Sequence, residues 1–144
     1  MTAQHPRGIR RVFIDTSAYY ALADPGDTQH HAASAIIDHL ATHPSALFTT
    51  NFILAETHAL LLTRRGRAAA LRALKEIDAS VTTVVRVSTS DERRAREVLT
   101  KYHDKDFSLT DATSFSVMER LSIPYAFTFD RNFTQYGLAV LAAP

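Results

Sequence analysis

The chain has no cysteine, no long apolar run and almost no net charge. The first absence excludes a disulfide framework, a thiolate zinc site and a cysteine nucleophile, and it fits a reducing compartment. The most apolar longer stretch, FILAETHALLL, is broken by Glu56 and His58, so it does not span a bilayer. The basic N-terminus MTAQHPRGIRR is followed by an apolar VFI that ends at Asp15, too short for a signal-peptide core. The expectation is therefore a soluble cytoplasmic protein without a membrane role. Repeats, linkers and low-complexity segments are also absent. With 144 residues, 46% hydrophobic and 22% charged, the chain reads as one globular domain, 1–144, with a loose N-terminal segment at 1–10.

Sixteen basic residues against 15 acidic leave a net charge of +1, so no overall positive field advertises a nucleic-acid partner. The distribution is less even than the sum. Arg7, Arg10, Arg11, Arg64, Arg65, Arg67, Arg72 and Lys75 fall in two stretches nearly free of acids, whereas 104–111 is acid-rich. Separated signs suit a phosphate grip beside a metal site, and solvated helix faces are the plain alternative.

Strands are expected at 11–14, 46–49, 81–87, 125–129 and 138–141, from short β-branched and aromatic runs. Between them the pattern predicts helices over 18–23, 29–43, 52–63 (capped by Asn51), 67–78, from Ser88 or Ser90 to 102, and 109–121. Alternating elements of this kind predict a three-layer α/β/α fold with a mainly parallel sheet of about five strands. Sites in such sheets form at the carboxyl ends of strands. Asp15 follows the first strand, Asn51 the second and Asp130 the fourth.

The stretch HDKDFSLTDATSFSVMERLSIPYAFTFDRNF (103–133) organises the rest. It sets Asp104, Asp106, Asp111 and Asp130 around an amphipathic helix and a strand, and like charges gathered away from water call for a cation. Each acid has a structural alternative. Asp15 is a good helix cap. Asp111 completes a capping box with Ser108. Asp130 suits a turn, and Asp104 and Asp106 sit in a polar loop from which one reaches the site. Glu56 is hardest to explain structurally, because it interrupts an apolar helix and a buried unpaired Glu is costly. Together the acids predict an all-oxygen site for a hard cation, magnesium or manganese, and hence a divalent-metal nuclease.

Read together, VFIDTSAYYAL, TNFILAETHALL, LTDATSFSVME and AFTFDRNFTQYG resemble the motifs of the PIN-domain family, most closely the VapC-type toxins of bacterial toxin–antitoxin pairs. The likeness runs from Val12 to Gly137. It implies that Asp15, Glu56, Asp111 and Asp130 form the catalytic and metal site, with Asp106 or Asp104 a variable addition. Thr16, Asn51 and Ser114 match polar positions that line or support the pocket. It further implies an endoribonuclease that inhibits translation by cutting tRNA or ribosomal RNA, a homodimer, and a VapB-type antitoxin that blocks the pocket in a heterotetramer or larger assembly.

Mechanistically, the acids would hold one metal ion or two, with Glu56 or Asp111 taking the proton of an attacking water and leaving a 5′-phosphate. The phosphate grip is assigned to Arg131 and Lys105, then to Arg10, Arg11, Arg64 and Arg65. Tyr19 or Tyr20 offers a ring for base stacking, with core packing the expected role of at least one of them. His30-His31 reads as a surface cap. A receiver-like phosphoacceptor domain is excluded, since it needs an Asp after the third strand and a Lys after the last, where this chain has Val87-Ser88 and Leu141-Ala142. Two rivals stay open: a metal-independent ribonuclease using His103, and a non-catalytic module that binds RNA or protein.

Overall fold

The computed structural model describes residues 9–144. The expected loose segment, and Arg7 within it, lies outside the described residues apart from Ile9 and Arg10. Arg10 belongs to the first strand, β1 (Arg10–Ile14). Val12, Phe13 and Ile14 are all buried, so β1 is covered on both faces, as its unbroken apolar run requires.

The chain continues through α1 (Thr16–Ala23), α2 (His30–Thr42), β2 (Ser45–Thr50), α3 (Asn51–Arg65), α4 (Arg67–Ala79) and β3 (Thr83–Val85). It then returns through α5 (Thr89–Lys101), α6 (Leu109–Arg120), β4 (Tyr125–Phe127), α7 (Arg131–Tyr136) and β5 (Ala139–Val140). The five strands form one sheet in the order β3-β2-β1-β4-β5, every pairing parallel. The chain thus builds outward from β1 through β2 to β3, then crosses back to place β4 on the other side of β1. Strand order reverses between β1 and β4, the switch point at which open α/β sheets bind ligands in a crevice outside the carboxyl ends of the strands.

Alternation along the strands divides the interior in two. Val12, Ile14 and Phe127 point to one face and pack on Ala18, Ala21, Ala33, Ile36 and Leu40 of α1 and α2. Phe13 and Ala126 point to the other, against Ala95, Val98, Phe115, Met118 and Phe133. The α3–α4 hairpin packs on α1 through Tyr20, Leu61, Ala70 and Ala73. Among the described residues no helix is long and apolar enough to cross a membrane.

Several expectations shift. The third strand is shorter than 81–87 because β3 is an edge paired only with β2, and Val81 is 89% exposed. The fourth stops at Phe127, since Thr128 and the Phe129 amide turn aside to bond Asp15 and Ser17. Thr50, not Asn51, caps α3, accepting from the Ile53 amide at 3.1 Å. Ser88 is the residue that opens α5, in a capping box with Asp91. Helix α7 was not expected, although its signals were present. Asp130 caps its start and Gly137, at φ 107°, ends it in the left-handed conformation.

Helix α6 is the largest departure. It is not amphipathic, because every residue from Asp111 to Met118 is buried. Its polar side chains survive burial by bonding backward along the helix. Thr113, Ser114 and Ser116 donate to the carbonyls of Leu109, Thr110 and Ala112 at 2.7, 3.0 and 2.8 Å.

Candidate active site

Asp15 is the first residue past β1 and sits at the strand-order reversal, its amide donating to the Phe127 carbonyl at 3.1 Å. It caps α1 and is only 4% exposed. Its Oδ2 accepts from Ser17 Oγ and Thr128 Oγ1, each at 2.9 Å, and from the Ser17 amide at 3.3 Å. Burial pushes its carboxyl up to about 6, against the lowering pull of these hydrogen bonds.

Asp111 opens α6 and is 8% exposed. It closes a capping box with Ser108, and its Oδ2 also accepts from Asn132 Nδ2 at 2.8 Å. Asp130 is half-buried and caps α7, its Oδ1 accepting from the Asn132 amide at 2.9 Å while its own amide donates to Thr128 Oγ1 at 3.0 Å. One hydrogen-bonded chain therefore runs Asp15–Thr128–Asp130–Asn132–Asp111. Glu56 is half-buried on the second turn of α3, and its neighbour Thr57 reaches Thr16 Oγ1 at 3.4 Å.

The structural and chemical readings of these acids are compatible. Asp15, Asp111 and Asp130 each use one oxygen as a cap. Among the described residues the other oxygen, Oδ1 of Asp15 and Asp111 and Oδ2 of Asp130, has no hydrogen-bond partner. Nor does any of the three, or Glu56, form an ion pair with a described basic residue. That donor set, all oxygen and without a counter-charge, suits a hard divalent cation. As the side chains stand, no three acidic or histidine residues among those described converge closely enough to hold a metal ion.

Other expected residues are placed as follows. Thr16 is buried beside Asp15, and Ser114 is buried in α6. Asn51 ties the end of β2 to the segment after β3, its Oδ1 accepting from the Val87 amide at 2.9 Å. Asp104 and Asp106 are exposed, Asp104 pairing with Lys105 at 3.4 Å, and neither joins the hydrogen-bonded chain. Arg131 is exposed next to Asp130.

The remaining residues assigned to the phosphate grip are placed away from the hydrogen-bonded chain or engaged elsewhere. Arg10 and Arg11 start β1, whereas Asp15 follows its end, a separation of about 13–17 Å along a strand. Arg11 is also engaged there, donating to the Leu121 carbonyl at 2.7 Å and lying 4.8 Å over the Phe48 ring. Arg64 stacks over Tyr20 at 5.3 Å and Arg65 pairs with Asp24 at 3.7 Å, fastening the end of α3 to α1. Tyr20 donates its buried hydroxyl to Asp24 at 2.9 Å, and Tyr19 packs against both core clusters, so both tyrosines are core residues and not stacking platforms.

Ser17, Thr128 and Asn132 went unrecognised in the sequence. Their signal was proximity to the acids, in DTS and TFDRN, and only the crossing of β1 with β4 shows that they join one network.

A model of the PIN domain family matches residues 12–138. The chain is 36% identical over 126 residues to the 23S rRNA-specific endonuclease VapC20 of Mycobacterium tuberculosis, covering 88% of this chain and 94% of that protein. It is 30% identical over 121 residues to ribonuclease VapC26 of the same organism, covering 84% and 87%. The crystal structure of VapC20, described as a sarcin–ricin loop cleaving toxin, superposes with a TM-score of 0.85 at 34% identity, over 91% of this chain and 98% of that one. VapBC2 from Rickettsia felis, bound to a DNA fragment from its promoter, shares the fold alone, with a TM-score of 0.69 at 13% identity over 91% and 97%. Motif order, sheet topology and these matches lead to one conclusion: the chain belongs to the PIN-domain family, among its VapC-type members.

Proposed function

We propose that this protein is a magnesium- or manganese-dependent endoribonuclease of the VapC type that cleaves structured ribosomal RNA, inhibits translation and is neutralised by a cognate VapB-type antitoxin. The observation that carries the reading is the pair Asp15 and Asp111. Both are buried, and among the described residues both keep one oxygen without a hydrogen-bond partner and neither forms an ion pair. Ionised carboxylates left so are costly unless a positive charge arrives. The names of the relatives at 36% and 30% identity support RNA as substrate, and the first supports 23S rRNA.

In this mechanism the carboxylates of Asp15, Asp111 and Asp130 would hold the ion. When bound, such an ion polarises a phosphodiester, lowers the pKa of the attacking water and offsets charge on the leaving oxygen. Ser17 and Thr128 hold the carboxylate of Asp15, and Asn132 holds those of Asp111 and Asp130. Glu56, which caps nothing, takes the proton of the water at its carboxylate. With the acids blocked by an antitoxin segment, phosphate has no access.

The test is cleavage of ribosomes by the purified chain, with 5′ ends mapped. A discrete cut in 23S rRNA with a 5′-phosphate is expected, lost in EDTA and reduced about a hundredfold or more by Asp15→Asn or Asp111→Asn. Chelator-resistant cleavage leaving cyclic phosphate would favour His103 chemistry instead. One observation favours a second reading, a non-catalytic PIN-fold module binding RNA or protein: no three acids among the described residues converge on one point. That reading predicts an unchanged cellular effect in both variants. A PIN nuclease of RNA processing, outside a toxin–antitoxin pair, would instead cut without arresting growth.

A further inference from the structure

Helix α5 carries positive charge that forms no ion pair among the described residues, Lys101 lying 5.8 Å over the Tyr102 ring. Its inward face is Asp91, Ala95 and Val98, all buried. Two nearby arginines are occupied: Arg120 grips Asp91 with hydrogen bonds of 2.7 and 2.9 Å, and Arg94 bridges Glu97 at 3.3 Å and Glu119 at 3.4 Å. Arg93, Arg96 and Lys101 are exposed and form no ion pair with a described residue. Together with Thr89, Glu97 and Thr100 they line an open groove of about 640 Å³. Their spacing puts them on one side of the helix, with Arg93 and Lys101 about 12 Å apart along its axis.

Exposed charge is ordinary on a helix. The direction of this row is what distinguishes it. Tyr102, which ends α5, packs at a tilt against Phe107 at 5.6 Å and Tyr136 at 5.3 Å, and Phe107 meets Phe115 of α6 edge-on at 5.1 Å. This aromatic cluster holds the Lys101 end of α5 beside the start of α6, where Asp111 sits. Arg120 and Asp91 hold the other end of α5 to the far end of α6. The Lys101 end of the cationic row therefore lies toward the start of α6, the end that carries Asp111.

We infer that the sugar–phosphate backbone of the RNA substrate lies along the outer face of α5. Arg93, Arg96 and Lys101 neutralise successive phosphates, and the hydroxyls of Thr89 and Thr100 serve as neutral donors. Glu97, the acid in the groove, pairs with Arg94 at 3.3 Å. The inference rests on the ribonuclease reading and assigns its substrate path.

The experiment uses the full chain carrying Asp15→Asn, which binds without cutting, and a synthetic RNA hairpin with the sarcin–ricin loop sequence. Anisotropy is followed across a salt series. R93Q/R96Q/K101Q should weaken binding about tenfold or more and flatten the log–log salt slope by about 2 to 3. R67Q/R72Q/K75Q, which removes equal charge from α4, should leave both within about twofold. The charge-keeping R93K/R96K should bind like the parent.

Equal weakening by the α4 and α5 triples, an α5 triple that binds like the parent, or a parent that does not bind the hairpin would each overturn the surface. Cleavage of the same hairpin by the unmodified protein in magnesium reports separately on the ribonuclease reading. If α5-dependent binding persists without cleavage, that reading fails and the surface stands. If cleavage occurs and the α5 triple shows an unaltered KM, the surface fails alone.

Discussion

Replacing Asp15 with asparagine should make the metal-free protein more stable while removing its activity. Asp15 is 4% exposed and its carboxyl is raised from 3.8 to about 6, chiefly because burial disfavours the charged form. Ionising it in the native state at neutral pH therefore costs about 3 kcal/mol relative to the unfolded chain. Asparagine carries no such cost. Its amide oxygen can accept from Ser17 and Thr128 in place of Oδ2, its NH2 falls where Oδ1 has no protein partner, and it caps helices well.

The sign follows from the direction of the shift. Between about pH 4 and 6 the native protein holds a proton on Asp15 that the unfolded chain has released, so this stabilisation is complete below pH 4 and lost above 6. The Asp15→Asn variant lacks that titration. In EDTA the two proteins should melt alike near pH 4, and the variant should lead by roughly 1–3 kcal/mol, about 4–10 °C, at pH 7. Thermal melts across pH measure the gap. Saturating magnesium should then raise the melting temperature of the unmodified protein far more than that of the variant, the added stability being about 2.7 kcal/mol at a hundredfold excess over Kd. A variant less stable at pH 7 in EDTA, or a gap that does not change with pH, would refute the account of a desolvated, uncompensated carboxylate.

Three further outcomes are expected. Asn132→Ala removes the amide that holds Asp111, and should lower kcat about tenfold and weaken manganese binding measured by calorimetry, with little change in melting temperature. Asp91→Ala breaks the α5 capping box and strands Arg120, which should cost roughly 2–4 kcal/mol in urea titration. Gly137→Ala forces a side chain into φ 107° and should cost about 1 kcal/mol by the same measurement.

Local chemistry made much of this protein legible before any coordinates. The apolar run at Val12–Ile14 required a strand covered on both sides, and Ser108 with Asp111 required a helix start. Acids placed just after strands pointed to one end of a parallel sheet. These are short-range facts, decided by neighbours in the chain. The exposed ends of β3 were less legible, because β propensity at Val81 does not supply a pairing partner. Helix α7 was missed because six residues carry too little periodicity to outweigh the turn reading of FDRNF.

What tertiary structure alone decided was which residues meet. Nothing in the sequence order brings Thr128 to Asp15 across 113 positions or Asn132 to Asp111 across 21, since both contacts follow from β4 returning beside β1. The same parallel order leaves Arg10 and Arg11 at the amino end of the central strand, opposite the end that Asp15 follows. Residue type sets what a side chain can do. Strand order sets which side chains do it together, because only the folded path closes the distance between them.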